Sequence, residues 1–194
     1  MRLFLVLVFA FITLTTTAQN KTAFSSQNYV GLLEGEQGSR FQLQAINGIK
    51  YNNWFAGLGT GIDWYYLRSI PLFLSVNRNF LKNGNRNFFV AGDAGVNFPW
   101  RVDKDNMQGY TIEKSIPGIY WGVGLGYKIG VGKTNDAILV QLGYSYKHVT
   151  EKAKTTYYYY YYYINRPIGD PRPDMTNQFD YYLRRLSLKL GWNF

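Results

Sequence analysis

One stretch near the end of the chain carries the residue types of a hydrolase. His148 is the only histidine among the 194 residues, with Thr150 two positions on and Glu151 next to it. A histidine can accept the proton of a hydroxyl nucleophile while a carboxylate orients its ring. The spacing is unspecific and threonine is an unusual nucleophile, so a histidine at a membrane interface is the alternative interpretation. The sequence has no cysteine and no other catalytic, metal-ligand, phosphate-loop or dinucleotide motif, so we expect neither a cofactor nor a metal.

Seven consecutive tyrosines are the second candidate site. They are Tyr157, Tyr158, Tyr159, Tyr160, Tyr161, Tyr162 and Tyr163. A tyrosine ring is apolar while its hydroxyl can stay hydrated, so such a run suits a membrane–water interface. The alternatives are a loop surface that binds sugars or a partner protein, and an unstructured tract.

Alternation of apolar and polar residues predicts the elements that position these side chains. A period of two indicates eight strands, near 28–35, 38–47, 53–65, 70–79, 86–98, 116–130, 135–148 and 180–194. In the last of them, Leu186, Leu188 and Leu190 alternate with Ser187 and Lys189. The first strand is ambiguous in phase. Aromatic residues make up 19% of the chain, which also favours strands.

Glycine and charge share one face of these strands, and that face is predicted to point inward. In 116–130, Gly122, Gly124 and Gly126 alternate with Val123 and Leu125. A narrow eight-stranded barrel needs small side chains beside a few paired polar ones in its interior. The apolar face then meets lipid, which predicts a transmembrane β-barrel. A soluble ligand-binding barrel with the apolar face inside is the alternative.

Aromatic pairs on the apolar face support the membrane interpretation. Three pairs are spaced by ten residues, namely Trp54 and Trp64, Phe88 and Phe98, and Tyr182 and Trp192. Ten residues of a strand tilted by about 40° climb roughly 25 Å, the height of the apolar band between two aromatic girdles. Short turns are predicted near 48–52, 80–85 and 131–134. Long external loops are predicted near 99–115 and 149–179.

Charged residues on the inward face are predicted to form a structural ion-pair network. They are Arg40, Asp63, Asp93, Lys128, Lys147, Arg185 and Lys189, accompanied by Gln42, Gln44 and Gln141. Buried charges persist only when they are paired or hydrated, so both aspartates should pair with some of these cations. A conducting pore is the alternative.

The two ends of the chain predict export. Residues 1–18 combine Arg2, a short apolar run and small residues before Gln19, which is typical of a cleaved secretory signal peptide. Residues 19–194 then form a single barrel domain. The net charge of +9 suits anionic lipid, and nucleic acid is not expected as a partner of an exported chain.

These features resemble those of small OmpA/OmpX-like outer-membrane β-barrel proteins, in the plain form common in Bacteroidetes. The resemblance rests on Ala18-Gln19, the segments 46–65 and 70–80, and the terminal LSLKLGWNF. Trp192 and Phe194 resemble the C-terminal assembly signal of such barrels, which implies the barrel-assembly machinery as a biosynthetic partner. Outer-membrane lipid and lipopolysaccharide are the other implied partners.

We therefore predict an all-β fold: an eight-stranded antiparallel up-and-down transmembrane barrel in the bacterial outer membrane, preceded by a cleaved signal peptide. The expected role is non-enzymatic, either structural or through contacts of the external loops with a surface ligand or a neighbouring membrane protein. A lipid-modifying enzyme around His148, similar to barrel deacylases, and a narrow transporter or channel are the alternatives.

Overall fold

The computed structural model describes residues 22–100, 106–107, 110–132, 136–155 and 175–194. Its strands are β1 (Thr22–Gly35), β2 (Arg40–Tyr51), β3 (Trp54–Asp63), β4 (Ser69–Asn83), β5 (Arg86–Pro99), β6 (Asn106–Met107), β7 (Tyr110–Ile116), β8 (Gly118–Gly130), β9 (Ala137–Thr155) and β10 (Met175–Asn193). No helix in the described ranges is long and apolar enough to cross a membrane. The predicted signal peptide, residues 1–18, lies outside these ranges.

Eight of the strands close into a barrel. They pair in the order β1-β2-β3-β4-β5-β8-β9-β10, and β10 pairs back to β1; every pairing is antiparallel. Each predicted strand corresponds to one of these eight, and the predicted fold class is confirmed.

The register of the strands makes the barrel narrow and strongly tilted. A path along paired residues runs from Gln27 through Ile46, Gly59, Phe73, Gly95, Tyr120, Lys147 and Leu183. It meets β1 again at the level of Gln37, ten residues above its start. Eight strands with this stagger tilt by about 40° and enclose an interior that side chains can fill.

The outward face of the barrel carries an apolar belt. Leu58, Leu142 and Leu186 are each about 60% exposed. All members of the ten-residue aromatic pairs are exposed as well, with Trp54, Phe88 and Trp192 near the end of the barrel that carries the short turns. We call this the lower end. The opposite partners, Trp64, Phe98 and Tyr182, mark the upper limit of the belt.

Short turns join the strands at the lower end. They fall at residues 52–53 and 84–85, and at residues 131–132 after β8. Asn52, Gly84 and Gly132 have positive φ angles of 52°, 59° and 70°. A tight hairpin turn requires this left-handed conformation, which glycine and asparagine tolerate best.

At the upper end the sheet continues beyond the belt. Residues 149–155 of β9 pair with 175–181 of β10, and on the other side β9 pairs with β7, which forms a hairpin with β6. We call these four segments the extension. The segments predicted as loops at 99–115 and 149–179 are therefore partly strand.

The extension reverses the apolar phase of the strands. Along β9, Leu142 is exposed in the belt, whereas Val149 and Ala153 are buried in the extension and Lys152 is exposed. The same strand thus turns its apolar side outward within the belt and inward above it. Such a reversal is expected where the surroundings change from lipid to water.

Candidate functional site

Aromatic rings fill the lower and middle lumen. Tyr29, Phe55, Phe73 and Phe89 form one buried cluster with Ile46, Ala91, Tyr120 and Leu139. Three of the rings lie against glycines of other strands, because a methyl group at Gly59, Gly126 or Gly191 would overlap Phe73, Phe89 or Tyr29 respectively. The inward glycines predicted from the sequence therefore provide space for rings that close the lumen.

A small cavity lies near the lower mouth. A cavity of about 10 Å³ lies among Ser25, Lys50, Phe55, Asn77 and Lys128. That volume holds about one water molecule. Gln27 accepts a hydrogen bond from Asn77 Nδ2 at 2.9 Å, which ties β1 to β4 across this level.

Asp63 organises the upper lumen. Its carboxylate forms an ion pair with Lys147 at 3.3 Å and a hydrogen-bonded ion pair with Arg185, and all three side chains are at most 2% exposed. These residues come from β3, β9 and β10. Asp63 Oδ1 also accepts a hydrogen bond from the backbone N–H of Tyr65 at 2.7 Å. The Arg185 guanidinium lies 5.5 Å from the centre of the Tyr65 ring.

Lys147 fixes the 64–68 segment, which joins β3 to β4, over the upper mouth. Its ammonium group donates to Tyr65 O at 2.9 Å, Leu67 O at 3.1 Å and Ser69 Oγ at 2.9 Å. The Tyr65 ring packs with Leu33 and Leu183 in a second buried cluster. The ring of Tyr66 lies 4.6 Å from that of Tyr181, on the inner side of the extension. The upper mouth is thus covered by apolar groups held by a buried cation.

Of the other predicted lumen residues, two form a second buried ion pair and two lie near the rims of the barrel. Lys189 pairs with Asp93 at 3.6 Å, and both side chains are buried. Arg40 is exposed at the start of β2, where its guanidinium donates to Ser39 O at 2.8 Å. Lys128 is half-buried at the lower mouth and has no carboxylate partner among the described residues. Arg40 and Lys128 therefore lie outside the ion-pair clusters, because each is close enough to a rim for water to solvate its charge.

His148 lies on the outer wall at the upper limit of the belt. Its ring stacks on Tyr182 with 4.9 Å between centres, and Nε2 lies 3.3 Å from Asp180 Oδ1. Thr150 Oγ1 donates to the same carboxylate oxygen at 2.5 Å and is 3.5 Å from Nε2. A catalytic relay needs one ring nitrogen on the nucleophile and the other on the carboxylate. Here one nitrogen faces both groups, and the hydroxyl proton already points to Asp180.

The carboxylate beside His148 is Asp180 rather than Glu151. Glu151 is on the opposite, inward face of β9, where Ser115 Oγ lies 3.5 Å from its carboxylate. The hydrogen bonds from Thr150 and then Gln178, with a smaller effect of His148, lower the pKa of Asp180 below its ordinary value. Sequence reasoning missed Asp180 because only the pairing of β9 with β10 brings it opposite Thr150. Across the described residues, no three His, Cys, Asp or Glu side chains form a group that could hold a metal.

Two further predicted sites are the tyrosine run and the C-terminal pair Trp192 and Phe194. Tyr157, Tyr158, Tyr159, Tyr160, Tyr161, Tyr162 and Tyr163 all lie outside the described residues. Phe194 exchanges backbone hydrogen bonds with Ser26, at 3.0 and 2.8 Å, and so completes the seam between β10 and β1. The side chains of Phe194 and Trp192 face outward and are exposed.

Comparison with solved structures supports the fold. A crystal structure of Neisserial surface protein A superposes with a TM-score of 0.51 at 12% sequence identity, covering 89% of this chain and 97% of that chain. The chain has the fold of a small outer-membrane β-barrel. A solid-state NMR structure of outer membrane protein AlkL in DMPC lipid bilayers matches with a TM-score of 0.45 and 12% identity, covering 91% of this chain and 90% of that one. The chain matches no protein-family model and no curated protein.

Proposed function

We propose that this protein is a non-enzymatic barrel of the bacterial outer membrane, of the OmpA/OmpX-like, Bacteroidetes type. Its lumen is closed, and its binding surface is on the extension. The extension then faces the cell exterior and contacts a surface ligand or a neighbouring membrane protein. The observation that carries the proposal is the combination of an apolar outer belt with a lumen blocked by rings and ion pairs.

The belt supports membrane placement. Its exposed leucines and its aromatic rims, ten residues apart, match the roughly 25 Å apolar band of outer-membrane barrels. Lipid and lipopolysaccharide are then the immediate surroundings of the outer wall. The terminal Phe194 and Trp192 support the barrel-assembly machinery as a partner during biogenesis.

The blocked lumen argues against the transporter or channel alternative. A planar-bilayer recording of the purified protein should show no unitary conductance. Phe73→Ala and Phe89→Ala combined with Tyr65→Ala provide the positive control, because together they remove two rings that fill the lumen and the ring that covers its upper mouth, and should admit ions. A stable conductance in the unmodified protein would overturn the closed-lumen part of the proposal.

Labelling on intact cells tests the orientation of the extension. The chain has no cysteine, so a single introduced thiol reports one position. Lys152 is exposed on the extension, and Lys82 is exposed beside the turn at 84–85 of the lower end. A membrane-impermeant maleimide should label Lys152→Cys on intact cells and Lys82→Cys only after lysis. The reverse pattern would place the extension in the periplasm.

The enzyme alternative rests on the contact of His148 with Asp180 and Thr150. Because the hydroxyl is engaged by Asp180, we expect His148→Ala to leave the membrane lipid profile unchanged. Loss of a deacylated lipid species in this variant, with barrel folding intact, would establish the lipid-modifying function instead.

A further inference from the structure

One wall of the belt differs from the rest. Outward residues of β4, β5, β8, β9 and β10 between the aromatic rims are aliphatic or aromatic, apart from arginines close to either rim. On β1, β2 and β3, by contrast, Asn28, Asn47 and Thr60 are exposed on the outward face. Apolar side chains flank them along the strands, with Val30 above Asn28 and Ile49 below Asn47. Polar groups therefore lie inside the belt on this wall, toward its lower rim, where Asn28 is paired with Trp192.

The two asparagine side chains are neighbours, and within the described part of the chain they have few hydrogen-bond partners. Ser26 lies directly opposite Asn47, and Asn28 lies opposite Ala45, so the two amides are diagonal across β1 and β2. Asn28 Nδ2 reaches Ser26 Oγ at 3.5 Å, the limit of a hydrogen bond. Asn47 makes no side-chain hydrogen bond with any described residue. Hydrocarbon offers no partner for such groups, which makes their exposure to lipid unfavourable.

Small residues make a groove beside the two amides. Ala45 and Thr60 are directly paired across β2 and β3 and form its floor. Asn28, Val30, Leu43 and Ile62 are among the residues that line it, and its volume is about 360 Å³. Within a membrane, small side chains permit close approach of another backbone, while polar side chains hydrogen-bond across the contact.

We propose that this wall is an interface between two copies of the chain within the membrane. The two asparagines would hydrogen-bond with those of the second copy across a twofold axis near Ala45. A second copy fits because each amide carries both donors and an acceptor, so the patch is complementary to itself and needs no charge on its partner. An acyl chain could fill the groove but could not satisfy the amides. The inference rests on the membrane location proposed above.

Disulfide trapping in native membranes tests the interface. Ala45→Cys keeps both asparagines and, in a chain without cysteine, can form a disulfide only with another molecule. Val90→Cys is the matched control, because Val90 faces outward from β5 on the opposite wall. Under mild oxidation we expect Ala45→Cys to give at least five times more reducible dimer than Val90→Cys. Leu58→Cys, on β3 opposite Asn47, is a second trapping position, which should form the disulfide if the twofold axis lies a few ångströms away from Ala45.

Replacing the amides separates the proposed contact from random collision. In the Ala45→Cys background, Asn28→Leu with Asn47→Leu should lower the trapped dimer to the level of Val90→Cys. Heat-dependent gel mobility of each variant reports barrel folding and membrane insertion independently. The proposed interface would be wrong if inserted barrels with Ala45→Cys and with Leu58→Cys both trap no more dimer than Val90→Cys. It would also be wrong if the Ala45→Cys barrel still forms the same amount of dimer after both asparagines are replaced. A chain that is soluble and shows no shift would instead refute the membrane location.

Discussion

Removing the buried Asp63 carboxylate is the most informative perturbation of the lumen. Asp63→Asn preserves the side-chain shape and the oxygen that accepts the Tyr65 N–H, but it leaves Lys147 and Arg185 without a carboxylate. At 3.3 Å the attraction between Asp63 and Lys147 is about 5 kcal/mol for an effective dielectric constant of about 20. Removing one partner of a buried ion pair typically costs about 3–5 kcal/mol.

The surroundings of Arg185 place the expected loss toward the upper end of that range. Lys147 keeps its acceptors on Tyr65, Leu67 and Ser69, but Arg185 loses the only acceptor that its guanidinium has among the described residues. We therefore expect the free energy of unfolding to fall by about 4–5 kcal/mol. Urea titration of the barrel in lipid vesicles, followed by tryptophan fluorescence and gel mobility, measures this change.

Two matched variants test the electrostatic cause. Asp93→Asn removes a single, longer ion pair of 3.6 Å with Lys189 and should destabilise the barrel less. Adding Arg185→Met to Asp63→Asn removes the cation that is left without an acceptor and should recover about half of the loss, since an apolar replacement avoids the buried charge. A loss below about 1 kcal/mol for Asp63→Asn, or no recovery in the double variant, would refute the reasoning.

Three further predictions concern the lumen, the extension and the seam. Gly126→Ala should destabilise the barrel by about 1–3 kcal/mol in the same urea assay, because the added methyl group would overlap the Phe89 ring. Gly92→Ala should be nearly neutral, because a methyl group there meets open space. Equal effects of the two variants would contradict the packing of rings on glycines. Thr150→Val should raise the Asp180 pKa toward the ordinary carboxyl value of about 3.9, measured by NMR titration of the side-chain carbon. Because the pKa of Asp180 is depressed in the folded barrel, its contribution to the free energy of unfolding is present above the pKa of the unfolded state. That contribution is lost as pH falls through the folded pKa. An unchanged titration in Thr150→Val would exclude the Thr150 hydrogen bond as the cause of the low pKa. Phe194→Ala should reduce the amount of folded barrel in membranes, measured by quantitative blotting, and a normal amount would argue against an assembly signal.

The alternation of residues was sufficient to predict the barrel and its faces. Leu186, Leu188 and Leu190 face outward while Ser187 and Lys189 are buried, as the pattern of β10 indicates. The first strand was ambiguous because the lumen is partly apolar. Tyr29 and Leu33 point inward while Val30 and Leu32 point outward, so both faces of β1 carry apolar residues.

The ends of the last two strands were harder to predict. The apolar phase of β9 changes from even to odd positions after His148, where the predicted strand 135–148 ends. It marks instead the change of surroundings at the top of the belt, with Val149 and Ala153 turned inward. A search for phase reversals within a long alternating segment could have found the extension.

The partners within the candidate sites depend on the closure of the barrel. Asp63 and Lys147 are 84 residues apart in the chain and meet only across the lumen. Alternation predicts that both point inward but does not give their relative height, which is set by the ten-residue stagger. The exposure of Arg40 has the same origin, since its phase is inward but its position is at the rim.

Gel mobility of the membrane-fraction protein, with and without boiling in mild SDS, tests the central claim most directly. A closed barrel whose backbone hydrogen bonds are all internal stays folded in unheated SDS. We predict a band in the outer-membrane fraction that shifts on boiling. A chain recovered in the soluble fraction without any shift would contradict the account, because the exposed leucines and aromatic rims of the outer wall would then have no lipid to face.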